Sequence, residues 1–397
     1  MGAFLCCGCA ACQVLSCAGS CCPQLSVRAA NVLYLGTFVF ATILAIALQY
    51  WGAPQFQLYS FDVGCTAIPG IDADACKGDS AVYRISIGLA TWFVLITLGT
   101  LLGKQSFHVG HWCFKLSLLT LFVTGLFFVP VATVVWFIPV ARLVSALFLV
   151  LQIIAFIDAA YHWNAWVVQH IDAAGGARTN PWMVGALSCC AVLTLFSVVS
   201  LVLLYVYYGT CTVANLFITT TAIVTLGVTL GVTLCQLQSV ETSSSLLTSC
   251  IVTVYAVYLC WSSVHANPDP CNTFSFGTEN QDSIMVGMAV TVCSLSWTCY
   301  SASTRDYFED EEDEERLWLE DEEEEEDEEV YPHLWLFPLM MATGSVYMAM
   351  LLTNWGTHSG PKNHAQMWVS IISQWVSLLV YTWTLIAPRC LPERNFD

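Results

Sequence analysis

Residues 109–169 read VGHWCFKLSLLTLFVTGLFFVPVATVVWFIPVARLVSALFLVLQIIAFIDAAYHWNAWVVQ, and the length of this apolar run decides the fold. As a single helix rising 1.5 Å per residue it would reach about 90 Å, some three times the roughly 30 Å hydrocarbon core of a bilayer. It therefore holds more than one crossing. Proline lacks an amide donor and disrupts a helix interior, so Pro130 and Pro139 mark a tight turn between a span at 109–130 and another at 140–169. The second span is about 45 Å long as a helix. Either it tilts strongly, by about 45–50°, or its last turns, with Trp163, Trp166 and His170, lie at the interface.

The same pattern extends outward. The chain has 397 residues, of which 57% are hydrophobic and 11% charged, too few polar groups to cover water-soluble domains of this size. Apolar stretches long enough to cross a membrane lie near 29–50, 81–103, 109–130, 140–169, 181–208, 212–235, 246–264, 283–303, 331–353 and 366–388. The expected fold class is an all-α polytopic membrane protein of about ten transmembrane helices. An even number of crossings puts both termini on one side. The first 22 residues lack a charged leader region, so no cleavable signal peptide is expected.

Lys and Arg placement orients the chain, because cytoplasmic flanks carry the excess. With the N-terminus inside, Arg28, Lys104, Lys115, Arg178, Arg305, Arg316, Arg389 and Arg394 fall on the cytoplasmic side, and Lys77, Arg84, Arg142 and Lys362 outside. Both termini are thus expected in the cytoplasm, in an endomembrane or the plasma membrane. The expected organisation is a Cys-rich N-terminus at 1–28, eight spans within 29–303, an acidic loop at 304–330, two spans within 331–388 and a tail at 389–397.

The acidic loop dominates the charge. Glu309 to Glu329 holds 17 carboxylates and one arginine, and residues 304–330 supply a net −16 of the chain's −18. Like charges at this density repel and solvate, so the segment is expected to be disordered and outside the bilayer. It reads either as a solubilising spacer or as a cation-responsive or partner-binding loop.

Cysteines fall in two groups. Cys65 and Cys76 share the exoplasmic loop 51–80, where an oxidising lumen permits a disulfide, and Cys271 lies in the loop 265–282, to pair elsewhere or stay free. Near the N-terminus, Cys6, Cys7, Cys9 and Cys12 open a cluster of seven within 22 residues. Cytoplasmic juxtamembrane thiols suit S-acylation, while an unmodified interfacial segment or metal binding are the other readings. No second ligand pair or zinc-ribbon context surrounds them, so no metal site is expected.

Two ionisable residues stand inside spans, where an unpaired charge is expensive. Lys115 and Asp158 lie at similar depths, about 9 and 11 Å, on sequential antiparallel helices, and are expected to pair. His162, one turn after Asp158, and Asn164 could join a polar site there. Such a pair serves packing alone or lines a groove for a lipid headgroup or ion. In the span 212–235, Gly227 and Gly231 are four apart and would let a neighbouring helix approach closely. No P-loop, GxSxG, HExxH or dinucleotide fingerprint occurs, so neither an enzyme nor a cofactor is expected. The lack of a basic patch argues against nucleic acid as a partner.

The C-terminal WVSLLVYTWTLIAP with its closing RNFD resembles the ending of the serine incorporator (Serinc, TMS membrane protein) family. GHWCFKLSLL from Gly110, QIIAFIDAAYHWNAWVV from Gln152, VYLCWSSVHANPDPCN from Val257, YSASTRD from Tyr300 and LLTNW ending at Trp355 agree in order. The resemblance covers essentially the whole chain. It implies two helical bundles linked by a long tilted helix and a lipid-exposed cleft. Membrane phospholipids are then the expected ligands and energy-independent scrambling the expected activity, with a role in membrane lipid composition. The alternatives are a serine-handling accessory to the enzymes of phosphatidylserine and sphingolipid synthesis, which would be partners, or a small-solute transporter. A homo-oligomer is also compatible with this reading.

Overall fold

The computed structural model describes residues 25–52, 73–102, 105–173, 181–238, 246–272, 281–317, 334–356 and 363–390, and every regular element among them is helical. In chain order these are α1 Val27–Ala47, which a π turn Leu48–Gly52 extends, α2 Ala73–Leu101, α3 Gln105–Val109, α4 Trp112–Leu126 and α5 Val131–Val135. There follow α6 Phe137–Ala173, α7 Pro181–Tyr208, α8 Thr212–Gln238, α9 Leu246–His265, α10 Gln281–Leu317, α11 Leu336–Leu352 and α12 His364–Cys390. Seven helices are long and apolar enough to cross a membrane, and shorter apolar helices stand at Trp112–Leu126, Thr212–Val228 and Leu336–Leu352. The ten expected spans each meet one of these. The protein is an all-α polytopic membrane protein.

The turn at the two prolines is built differently from expectation. Pro130 caps the five-residue helix α5, and α6 already begins at Phe137, so Pro139 sits inside its first turn. A helix tolerates proline there because the first amides have no intrahelical acceptor to lose. With 37 residues, α6 is about 55 Å long.

The chain forms two compact units. Unit 1 comprises residues 1–138 and 295–352, unit 2 residues 139–294 and 353–397. In unit 1 the centre is α11, buried on all sides from Met340 to Leu352 and packed on α1 and α2. Its sequence is apolar all round, which is the pattern of an enclosed helix. Ser86 of α2 donates to the Ser345 carbonyl at 2.7 Å. Helix α4 lies against α2 at Gly88, where an added Cβ would stand 2.8 Å from a Val123 methyl. This is where a small residue matters. At Gly227 and Gly231, by contrast, a Cβ would meet nothing within 4 Å, so the close helix approach expected there is not made among the described residues.

In unit 2 the central helix is α9, flanked by α7, α8 and α12. Two buried amides join its helices. Gln374 donates to Thr221 Oγ1 at 2.8 Å and to the Ala256 carbonyl at 2.9 Å. Tyr255 donates to Gln152 Oε1 at 2.9 Å, and Gln152 Nε2 to Ser294 Oγ at 3.0 Å. A turn of three left-handed residues, Asn354, Trp355 and Gly356, is held by Arg142, whose Nη2 donates to the Trp355 carbonyl at 2.8 Å.

Helix α10 runs on to Leu317, so the first part of the acidic segment continues the preceding span as helix. Glutamate is a good helix former, and extending a nucleated helix avoids the cost of starting one. The rest of the expected disordered loop, residues 318–330, lies outside the described residues, as do Cys6, Cys7, Cys9, Cys12 and Cys65.

Candidate functional site

An opening for a ligand lies in unit 2 between the walls formed by α7 and α9. It is a cavity of about 340 Å³ lined by Phe196, Ser200, Leu203 and Leu204 of α7 and by Val254, Val257 and Val286, with Tyr207, Tyr208, Tyr258 and Trp261 completing it. Phe196, Leu203 and Tyr207 are exposed, so the groove opens through α7 to its surroundings. Helix α7 is apolar outward, as a lipid-facing helix is: Val192, Leu195, Val199, Val202 and Val206 are exposed along it.

The cavity has a direction. Its α7 lining begins at Phe196 and climbs about 18 Å to Tyr208. At that end the groups become amphipathic: Tyr208 Oη lies 3.2 Å from His265 Nδ1, and Trp261 stacks on His265 with centroids 5.7 Å apart. Just beyond, Cys211 and Cys271 are joined in a disulfide, with Cα atoms 5.4 Å apart. Thr210 adds a hydrogen bond to the Cys271 carbonyl at 3.3 Å. The C-terminal ends of both cavity walls are thus fastened together. Of the two outcomes expected for Cys271, pairing elsewhere or staying free, it takes the first, with Cys211 between two apolar spans. Cys76 is also disulfide-bonded, and its expected partner Cys65 is outside the described residues.

Lys115 sits in unit 1, 1% exposed, and is satisfied without Asp158. Its ammonium donates to the Tyr34 hydroxyl at 2.9 Å and to the His108 carbonyl at 2.8 Å. The Trp112 ring lies beneath it at 4.8 Å and the Phe107 ring at 5.2 Å. Neutral acceptors and aromatic faces replace the expected carboxylate, a combination that stabilises a desolvated cation. Tyr34 donates in turn to the His108 carbonyl at 2.8 Å, and His108 Nε2 stands 3.0 Å from Asn31 Oδ1. Burial, reinforced by the Lys115 ammonium, pushes the His108 imidazole down to about 3, so it is neutral. The cluster reads as a structural support, with His108 Nδ1 buried and making no hydrogen bond.

Asp158 lies in unit 2 on α6, half-buried, 3.8 Å from His162 Nδ1 one turn on. His162 is exposed, and Asn164 is half-buried on a different face of the helix. The structure therefore brings Asp158 to His162 and leaves Lys115 with Tyr34 and His108. No group of three or more metal-ligating side chains occurs among the described residues. The aromatic end of the cavity escaped the sequence reading. Its trace is the spacing of Tyr255, Tyr258, Trp261 and His265, three or four apart on one face of α9.

Comparison with known proteins places these features in a family. The family model described as "Serine incorporator (Serinc)" matches residues 4–331 and 308–394. The chain is 27% identical to serine incorporator 3 of Bos taurus, over 98% of this chain and 96% of that protein. To serine incorporator 2 of Homo sapiens it is 26% identical over 100% of both chains, and to serine incorporator 5 of Danio rerio 26% over 98% and 97%. A family match across the whole length, on an all-helical membrane protein, carries one conclusion: this chain belongs to the serine incorporator family.

Proposed function

We propose that this protein binds membrane phospholipid and lets it pass between leaflets without an energy source. The observation that carries this reading is the cavity between α7 and α9, apolar along its length and amphipathic at the Tyr208–His265 end. An acyl chain suits the Phe196–Leu204 lining. A polar headgroup suits the end where hydroxyl and imidazole groups gather, since an unpaired polar group in hydrocarbon costs several kcal/mol, roughly 2–7, unless it finds hydrogen bonds. Asp158 and the exposed His162 on α6 offer a further polar patch. The relatives are named serine incorporators, yet a cavity lined by Leu, Val and aromatic rings fits a hydrocarbon chain better than a zwitterionic amino acid.

The orientation with both termini in the cytoplasm is part of the proposal. Lys115 and Arg84 are buried, and Arg142 is bound to Trp355, so none of the three is a loop charge. Removing them from the count turns eight against four into seven against two, in favour of a cytoplasmic N-terminus. The same orientation puts the Cys211–Cys271 disulfide on the oxidising side.

A phospholipid carrying a diazirine on its acyl chain tests the cavity. Irradiation of the protein in nanodiscs is expected to label peptides of α7 and α9, and Val254→Trp, which fills the space, to remove that labelling. Equal labelling of both proteins would place the lipid elsewhere.

A further inference from the structure

The two helices that wall the cavity are fastened at one end by Cys211–Cys271, and at the other end of the same helices stand three free thiols. Cys189 and Cys190 of α7 meet Cys250 of α9. Cys250 Sγ reaches the Cys190 carbonyl at 3.7 Å and the Thr194 hydroxyl at 3.4 Å, and Cys190 and Cys250 pack in one buried cluster. Cys190 and Cys250 are 60 residues apart in sequence, the separation that also divides the bonded pair Cys211 and Cys271. The position in the fold is repeated as well: each pair bridges α7, or the residues just after it, to α9, or the residues just after it.

We infer that Cys190 and Cys250 form a reversible intramembrane dithiol that lipid-soluble hydroperoxides convert to a disulfide, a second staple between α7 and α9. A buried cysteine alone serves as a small apolar filler. Two thiols from different helices packed in one buried cluster can do more, because oxidising one presents an electrophilic sulfur to the other. In the first step one thiol attacks the hydroperoxide ROOH, whose O–O bond breaks; the thiol becomes a sulfenic acid and the hydroperoxide leaves as the alcohol ROH. In the second, the neighbouring thiol attacks the sulfenic sulfur, the S–S bond forms and water is released. Two thiols lose two electrons and two protons, and ROOH becomes ROH and water.

The oxidant class follows from the surroundings. Cys190 and Cys250 are 6% and 2% exposed, among Leu247, Leu193 and Leu246, which excludes a charged or bulky oxidant from the aqueous phase. An apolar hydroperoxide dissolved in the lipid arrives through the half-buried Cys189, beside the exposed Val192 on the outer surface of α7.

The test uses the full-length protein in lipid nanodiscs treated with cumene hydroperoxide, then denatured, alkylated and digested without reductant. The expected result is a peptide linking Cys190 to Cys250, the loss of two alkylatable thiols, and reversal by dithiothreitol. Cys250→Ala should lose that linkage and keep Cys211–Cys271. Oxidation of these cysteines singly to sulfinic acids, or a linkage confined to other cysteines, would overturn the proposal. Dibromobimane, which fluoresces when it bridges two nearby thiols, gives a check on the wild-type protein that needs no variant. Bridged Cys190 and Cys250 peptides support the dithiol, and singly labelled ones contradict it.

Discussion

The ammonium of Lys115 lies 2.9 Å from the hydroxyl of Tyr34, a charge deep in an apolar protein whose hydrogen-bonding partner is a neutral phenol. Tyr34 passes the contact on to the His108 carbonyl, and Trp92 donates to the Lys115 carbonyl at 2.9 Å, so helices α1, α2, α3 and α4 meet at this point. If the cluster supports the fold, the neutral partner should matter more than the charge. Tyr34→Phe leaves a buried ammonium with one acceptor fewer and is expected to cost about 1–3 kcal/mol. Lys115→Met, which removes the charge and keeps the volume, is expected to be close to neutral or stabilising. Thermal melts of the two variants check the order, and a larger loss for Lys115→Met would reverse the argument.

His108 supplies a pH dependence with a defined sign. Its folded-state value, pushed down to about 3, lies below the ordinary histidine value of about 6.5, so between these limits the unfolded chain binds a proton that the folded chain does not. Stability from this group is therefore full above about pH 6.5 and declines as pH falls toward 3. The melting temperature of purified protein is expected to drop between pH 7 and pH 5, and the drop to be smaller in His108→Gln. Parallel profiles for the two proteins would show that His108 contributes nothing.

Arg84 adds side-chain donors to the carbonyls at the C-terminal end of α4. Its Nε donates to the Leu126 carbonyl at 2.9 Å and its Nη2 to the Val129 carbonyl at 2.8 Å, with Ser80 as a third partner. A guanidinium satisfies several C-terminal carbonyls at once, and its positive charge complements the helix dipole there. Arg84→Met removes both contacts, leaving Leu126 with only the Val129 amide, and is expected to destabilise unit 1 by about 1–3 kcal/mol. An unchanged melting temperature would rule out this capping role.

The Cys211–Cys271 disulfide closes 60 residues that hold α8 and α9. Loop-closure entropy for that length gives up to about 4 kcal/mol of stabilisation. The paired substitution Cys211→Ser with Cys271→Ser is expected to lower the melting temperature and to weaken photolabelling of the cavity, because the ends of α7 and α9 are no longer fastened. Retained stability in the double variant would assign the disulfide no such part.

Spans are legible in this sequence because a helix in lipid satisfies its own backbone and exposes apolar side chains in every direction, so composition suffices to find it. Partners are another matter. Lys115 and Asp158 matched in depth, yet depth is one coordinate of three, and the rotation of each helix decides what a side chain meets. Gln152 and Gln374 stand out as amides within apolar runs, and both proved to be the crossing points of unit 2. The aromatic end of the cavity was hidden because tyrosine and tryptophan are common throughout a membrane protein. The Cys211–Cys271 bond joins two connections far apart in sequence, and only their proximity in the folded unit identifies it.

The central claim is that phospholipids cross the membrane through this protein with no energy source. Liposomes containing the purified protein and a trace of headgroup-labelled phospholipid, exposed to external dithionite, measure this directly. Without nucleotide, the protein is expected to bring inner-leaflet label out to the quencher, and Val254→Trp to slow that passage while the protein stays folded. Vesicles holding correctly folded wild-type protein that keep their inner-leaflet label protected, as protein-free vesicles do, would contradict it.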